Sequence, residues 1–282
     1  MMNETQPSEL NHMLILDRMN DLTENDPLYP FALDELLCKH TGNGGPAICH
    51  LWRHPHSFIM GLRDSRLPHA DHGRQWIESR GYQVGIRNSG GAAVPLDLGV
   101  VNISLIMPKQ GQGDIHFHRD FERMYNLIKN ALSYTGSQVD KGEIQGAYCP
   151  GDFDLSIAGR KFCGIAQRRQ AHAYIVQAFV IVDGVGQDRA QFVQGFYHRA
   201  AVEAATSQYP HVEDDSTASL AELTDMGDDP VTTFSEAVKH VIREQQMKQD
   251  SSTSVKPLYV PNASEIMEMV TTLRQRYDTK TT

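Results

Sequence analysis

Apolar positions along the chain switch between two periods, and the switches mark out most of its elements. After a loose polar start over 1–12, Pro30 opens a short helix predicted over 31–39. Apolar runs at 47–52 and 57–60 then predict strands, the spacing over 68–79 predicts a helix closed by Gly81, and 82–87 predicts another strand. The small-residue run Asn88-Ser89-Gly90-Gly91-Ala92-Ala93 separates that strand from an apolar one at 100–107, and 118–134 has helical spacing. From 143 to 183 the pattern is a meander: strands are expected at 143–149, 153–157, 161–168 and 174–183, broken by Pro150-Gly151, Ala158-Gly159 and Gly184. Helices are expected at 189–206 and 229–247, a polar linker at 248–256 and an amphipathic helix at 263–277.

Helices and strands mix without strict alternation, which predicts an α+β domain or a mixed-sheet α/β domain rather than a doubly wound one. The expected division is an N-terminal segment with a short helix over 1–44, a catalytic domain over 45–230 and a helical C-terminal extension over 231–282. At 282 residues and 40% apolar composition the chain is long enough for a substantial core.

Charge and cysteine usage narrow the function classes. A net charge of -9 and a pI of 5.8 oppose the long-range attraction that a phosphate backbone requires, so nucleic acid is not an expected partner. No apolar run approaches the ~18 residues of a membrane span and the first residues lack the pattern of a secretory signal, so the expected location is the cytoplasm, with no membrane partner. The four cysteines, Cys38, Cys49, Cys149 and Cys163, form no CxxC pair, which argues against a disulfide framework or a zinc knuckle.

The segment from Cys149 to Cys163 can be read geometrically. If Ala158-Gly159 is a two-residue hairpin loop, Ile157 opposes Arg160 and Ser156 opposes Lys161. Alternation then puts Phe153, Leu155, Ile157 and Phe162 on one face, and Asp154, Ser156, Lys161 and Cys163 on a polar one. Cys149 sits at a Pro-Gly break, where a side chain can stand at the rim of a pocket. A free thiol has a pKa of about 8.5, and an ammonium at roughly 4 Å is worth up to about 4 kcal/mol at an effective dielectric near 20, enough to make the thiolate dominant. Cys38, Cys49 and Cys163 fit the ordinary role of a buried small hydrophobe.

Other candidates are weaker. The double glycine of Arg87 to Ala93 allows close backbone approach and offers amide donors to a carbonyl or an oxyanion. The segment 41–45 matches no phosphate-loop spacing and is expected to be a plain loop. His54 with His56, and His116 with His118, lack further ligands at metal-site spacing, so no metal is expected. The cluster Arg160, Lys161, Arg168 and Arg169 reads as a solvated face that could also dock an acidic carrier domain.

Two segments carry a resemblance. Arg87-Asn88-Ser89-Gly90-Gly91-Ala92-Ala93-Val94, continuing to Ile106, resembles the acyl-binding loop and next strand of the lipoate ligase, octanoyltransferase and biotin ligase superfamily. Tyr148-Cys149-Pro150-Gly151-Asp152-Phe153, continuing through Lys161 to Arg169, is similar to its catalytic strand pair. Within the superfamily the combination most resembles the amidotransferases that use octanoylated glycine cleavage H protein. The resemblance implies a biotin/lipoate protein ligase-like catalytic domain, an acyl thioester on Cys149, a pKa-lowering role for Lys161, and substrate contacts from Arg87, Ser89, Gly90, Gly91, Ala92 and Gly164. It also implies octanoylated H protein as donor, lipoyl domains of 2-oxoacid dehydrogenase E2 subunits as acceptors, and no cofactor. Ligases of the superfamily carry an Arg-Arg pair and a histidine in the glycine-loop region. Asn88 follows Arg87 here and Leu96 precedes Asp97, which disfavours adenylation. A transferase drawing on octanoyl-acyl carrier protein, an ATP-dependent lipoate ligase and a catalytically silent carrier-binding module stay open as alternatives.

Overall fold

Alternating apolar residues along three central strands supply two cores at once, one on each face of a mixed sheet. The computed structural model describes residues 12–109, 117–247 and 257–278. In chain order the strands and α-helices are β1 (Leu14–Arg18), α1 (Tyr29–Gly42), β2 (Ile48–Trp52), β3 (His56–Met60), α2 (Ala70–Glu78), β4 (Gln83–Ile86), β5 (Val94–Asp97), β6 (Val100–Pro108), α3 (Phe117–Ala131), β7 (Asp140–Lys141), β8 (Leu155–Ile157), β9 (Arg160–Arg169), β10 (Ala173–Ile181), α4 (Gly186–Ala200), α5 (Leu220–Leu223), α6 (Pro230–Met247) and α7 (Ala263–Tyr277). Seven strands pair in the order β1-β2-β6-β10-β9-β8-β7, and three more form a small sheet, β4-β3-β5. Among the strand pairs of the described residues only β1 with β2 and β3 with β4 run parallel.

On one face of the large sheet, Ile48, Trp52, Ile106, Ile175 and Phe179 pack with α1, α2, α4, α7 and the small sheet. On the other, Leu51, Ile103, Leu105, Val176 and Val180 pack with α3 and α6. This is the expected mixed α/β architecture with helices at the C-terminal end. Helix α7 lies against α1, and Arg274 holds Asp26 at 2.9 Å while Arg74 holds Asp278 at 2.8 Å. Among the described residues no helix is long and apolar enough to cross a membrane.

Several expected bounds move, each for a local reason. The strand expected at 143–149 is absent, because Gly142 and Gly146 take positive φ and turn the chain after the two-residue β7. The strand expected at 153–157 shortens to β8, since Phe153 and Asp154 belong to a turn closed by the Asp154 amide on the Gly151 carbonyl. Helix α3 stops at Ala131 and unwinds into a 3-10 turn ended by left-handed Gly136. Helix α4 runs from Gly186 to Ala200 rather than over 189–206. Strands β1, β5 and β7 were not expected: β1 follows directly on the polar start and is only half-buried, β7 has two residues, and Pro95 inside β5 argues against a strand but is tolerated at the sheet edge that β5 occupies. The linker at 248–256 and His116 lie outside the described residues.

Candidate active site

The hairpin between β8 and β9 has the anticipated register, Ser156 opposite Lys161 and Ile157 opposite Arg160. Its two loop residues, Ala158 and Gly159, have φ of 50° and 77°, the left-handed pair that two-residue hairpins favour. Beyond Lys161 the alternation breaks. Leu155 pairs with Cys163, so β9 carries one extra residue in a bulge. Cys163 thereby joins Leu155, Ile157 and Phe162 in the core on the α3 and α6 side, not the face of Lys161 as alternation alone implied. Burial pushes the thiols of Cys38, Cys49 and Cys163 up.

Lys161 does not face solvent; it is fully buried. Its Nζ donates to the carbonyls of Tyr148 at 2.9 Å and Cys149 at 2.6 Å, and forms an ion pair with Asp154 Oδ2 at 2.8 Å. Asp154 also receives the Gly151 amide at 3.1 Å. Burial outweighs these favourable partners and raises the Asp154 carboxyl to about 6. Two more residues of the anticipated basic face are likewise committed: Arg168 pairs with Glu35 at 2.9 Å and Arg169 with Asp120.

The bonds from Lys161 clamp a strained turn. Cys149 has φ of 50°, a left-handed conformation that costs a non-glycine residue about 1–2 kcal/mol. That conformation carries Sγ toward the glycine loop between β4 and β5. Sγ accepts from Arg87 Nη2 at 3.2 Å and from the Ala92 amide at 3.3 Å. Arg87 Nη2 also donates to the Ala92 carbonyl at 2.6 Å. Gly91 has φ of 100°, and a Cβ there would come within 2.4 Å of Arg87 Nη2 and 2.9 Å of Sγ, so both conformation and space require glycine. A Cβ at Gly61 would stand 2.1 Å from the Gly91 carbonyl. Ser89 Oγ is buried with no hydrogen-bond partner among the described residues, and Asn88 bonds Glu35.

Cys149 lines a cavity of about 500 Å³ between the two sheets, within the usual size for small-ligand sites. Phe31, Trp52, Ile59, Val94, Leu96 and Phe179 give it an apolar wall; Arg87, Gly90 and Gly91 stand beside the sulfur, and Gly164 and Ala166 of β9 form part of its floor. At Gly164 a Cβ would meet the Phe179 ring at 2.4 Å, so that position also has to be glycine. Ser89 and Ala92 do not line the cavity. Ala92 acts through its amide.

Two supporting groups escaped the sequence reading. Tyr197 of α4 donates to Asp64 at 2.9 Å and receives the Ala93 amide at 3.3 Å, while the Gly61 amide bonds the same carboxylate at 2.8 Å. This network ties the glycine loop to the helical layer, and burial raises Asp64 to about 6. On the sheet, Asp34 of α1 bonds His50, Ser104 and Gln177 at 2.8, 2.5 and 2.9 Å, a polar rung beside the cavity. No local pattern announces either group, since their members lie on elements far apart in the chain. Among the described residues no cluster of His, Cys, Asp or Glu could hold a metal.

The lipoyl protein ligase A/B catalytic domain family matches residues 26–245. The chain belongs to that family. It is 44% identical over 195 residues, 68% of this chain and 70% of the relative, to an octanoyl-GcvH:protein N-octanoyltransferase of Exiguobacterium sibiricum. It is 37% identical over 200 residues, 70% of this chain and 72% of the relative, to a lipoyl-GcvH:protein N-lipoyltransferase of Listeria monocytogenes. A lipoate-protein ligase A crystallised with ATP shares the fold with a TM-score of 0.66 at 18% identity, covering 96% of each chain. With these relatives the chain is an acyltransferase of the lipoyl protein ligase A/B family.

Proposed function

We propose that the chain moves an octanoyl group from the modified lysine of glycine cleavage H protein to lysines of lipoyl domains in E2 subunits, through a thioester on Cys149. One observation carries the mechanism: the sole cysteine lining the described cavity is also the one held in a left-handed turn with two donors on its sulfur. The names of the relatives support the donor and the acyl group.

In the first step Sγ attacks the amide carbonyl carbon of octanoyl-lysine. The C–S bond forms, the C–N bond breaks, and the proton from the thiol ends on the departing lysine amine. In the second step the acceptor amine attacks the thioester, the C–S bond breaks, and an amine proton returns to sulfur. An amide is exchanged for an equivalent amide, so no ATP is consumed. The apolar cavity wall holds the chain, each methylene contributing roughly 0.8 kcal/mol. The glycine loop offers amide donors to the oxyanion. Residues 45–230 form the proposed catalytic domain, acting in the cytoplasm.

The test is intact mass after mixing with octanoylated H protein and no ATP. Wild type gains one octanoyl group and Cys149→Ala gains none; an acylated Cys149→Ala protein overturns the thioester. The same mixture with lipoylated H protein tests the acyl group in the name of the Listeria relative.

A further inference from the structure

We infer that Arg63 and Arg66, on the turn before α2, are where the carrier proteins dock, meeting carboxylates that flank the lysine to be emptied or loaded. The inference rests on the proposed transfer between carriers and assigns the face of this chain on which both of them land. Cys149 fixes where that face must lie. A lysine side chain holds its acyl carbon six bonds from its own Cα, roughly 7–8 Å, so a carrier whose amide reaches Sγ has to lay its backbone on the rim of the cavity. The rim is where lining residues reach solvent: Gly90 and Gly91 of the glycine loop, with Phe117, His118, Pro150 and Asp152.

The turn that carries the two arginines is built against that rim. Gly61, just before it, packs so closely on the glycine loop that a Cβ would stand 2.1 Å from the Gly91 carbonyl. The Asp64 carboxylate accepts from the Gly61 amide and the Tyr197 hydroxyl, and Asp64 and Leu67 are buried, so the inner side of the turn is anchored. Arg63 and Arg66 are exposed on its outer side. A 3-10 turn spans Asp64–Arg66, and the Arg66 amide donates to the Arg63 carbonyl at 3.1 Å. Side chains three apart eclipse on such a turn, so two like charges share one edge. Among the described residues no hydrogen bond or ion pair engages either guanidinium. An anion from outside would relieve their repulsion.

The cations anticipated for docking are engaged elsewhere: Lys161 is buried on Asp154, Arg168 holds Glu35 and Arg169 holds Asp120. A chain of net charge -9 repels an acidic carrier at long range, so an unmatched pair of cations beside the mouth decides where such a carrier lands and how it is turned. Asp152, the acidic member of the rim, disfavours carboxylates next to itself and directs them to the arginines. Sγ is the single acyl site of the proposed reaction, so donor and acceptor visit the same face in turn. The two arginines serve both.

Calorimetric binding of unmodified H protein and of an unmodified lipoyl domain to the full chain tests docking with no acyl group to transfer. Titrations at about 20 mM and about 200 mM salt read the electrostatic part. Arg63→Glu combined with Arg66→Glu is expected to raise Kd for both carriers at least about tenfold at the lower salt, and to flatten the salt dependence that wild type shows. Arg63→Gln with Arg66→Gln, which serves if the glutamate pair does not fold, is expected to raise Kd about threefold or more. Lys129→Glu with Arg243→Glu makes the same change in net charge on α3 and α6, the helices on the other face of the large sheet, and should stay within about threefold of wild type. An equal loss in that control, or a loss for one carrier only, overturns the docking surface. Wild-type binding that the arginine variants keep overturns the surface alone, whereas a wild-type chain that binds neither carrier overturns the proposed function with it.

Discussion

Replacing Lys161 with methionine isolates what a buried lysine contributes to the fold. The substitution keeps much of the aliphatic stem and removes the ammonium, leaving Asp154 unpaired at 1% exposure and the carbonyls of Tyr148 and Cys149 without that donor. Breaking a buried ion pair costs about 3–5 kcal/mol, a large fraction of the roughly 5–15 kcal/mol that holds a domain folded. The cost depends on pH in a defined direction. Asp154 titrates at about 6 in the folded protein against an ordinary value of 3.8, so the native state takes up a proton that the unfolded chain does not, and stability from this group falls as pH rises from about 4 to about 6. Without Lys161, whose charge and hydrogen bond both lower that value, the carboxyl titrates higher still and the fall continues to higher pH. The deficit of Lys161→Met relative to wild type is thus about 4 kcal/mol at pH 7.5 and distinctly smaller at pH 5. Urea unfolding followed by the fluorescence of Trp52 and Trp76 measures it at both pH values. A deficit under about 1 kcal/mol at pH 7.5, or one equal at the two pH values, refutes the reasoning, and Asp154→Asn with Lys161→Met is expected to recover part of the loss.

Three further substitutions probe the cavity and its loop. Gly91→Ala forces a Cβ toward Arg87 and Sγ at a positive φ, and should lower kcat/KM for octanoyl transfer by about a hundredfold, a loss of about 2.7 kcal/mol in transition-state stabilisation; an alanine variant within threefold of wild type contradicts the role of the loop. Tyr197→Phe strips the Ala93 amide and Asp64 of their shared partner and should cost about 1–3 kcal/mol of stability in urea unfolding, an unchanged midpoint arguing against the network. Ile59→Phe fills part of the apolar wall. Competition between hexanoyl and octanoyl donors should then shift toward the shorter chain by up to about tenfold, from two methylenes at roughly 0.8 kcal/mol each, while an unchanged ratio places the chain elsewhere.

What the sequence disclosed follows the range of each signal. Hairpin pairing is local, so Ala158-Gly159 was enough to specify the partners of Ser156 and Ile157. Helix α7 matches its expected bounds, because Asn262 caps it with Glu265 reaching back and its apolar spacing is regular. The bulge after Lys161 was not legible. One extra residue leaves composition and alternation nearly unchanged, yet it sends Cys163 to the opposite core. The burial of Lys161 was equally hidden, because an isolated lysine between Arg160 and Phe162 reads as a surface charge until Asp154 is found beside it. Asp64 and Tyr197 meet across a separation of 133 residues and leave no periodic trace.

The charges and the strain at Cys149 bear on each other. A cysteine at φ of 50° is held there by its surroundings, and the strongest candidates are the two bonds from Lys161 to the carbonyls of Tyr148 and Cys149. A neutral donor could satisfy those carbonyls, but a charged one also binds Asp154, which in turn receives the Gly151 amide on the far side of Pro150. One buried ion pair therefore grips the turn before and after Pro150. The turn is thus fixed on one side by Lys161, and on the other the sulfur meets Arg87 and the Ala92 amide. Loss of Lys161 is therefore expected to reach folding and the placement of Sγ together, because the same ammonium holds Asp154 and the Cys149 carbonyl.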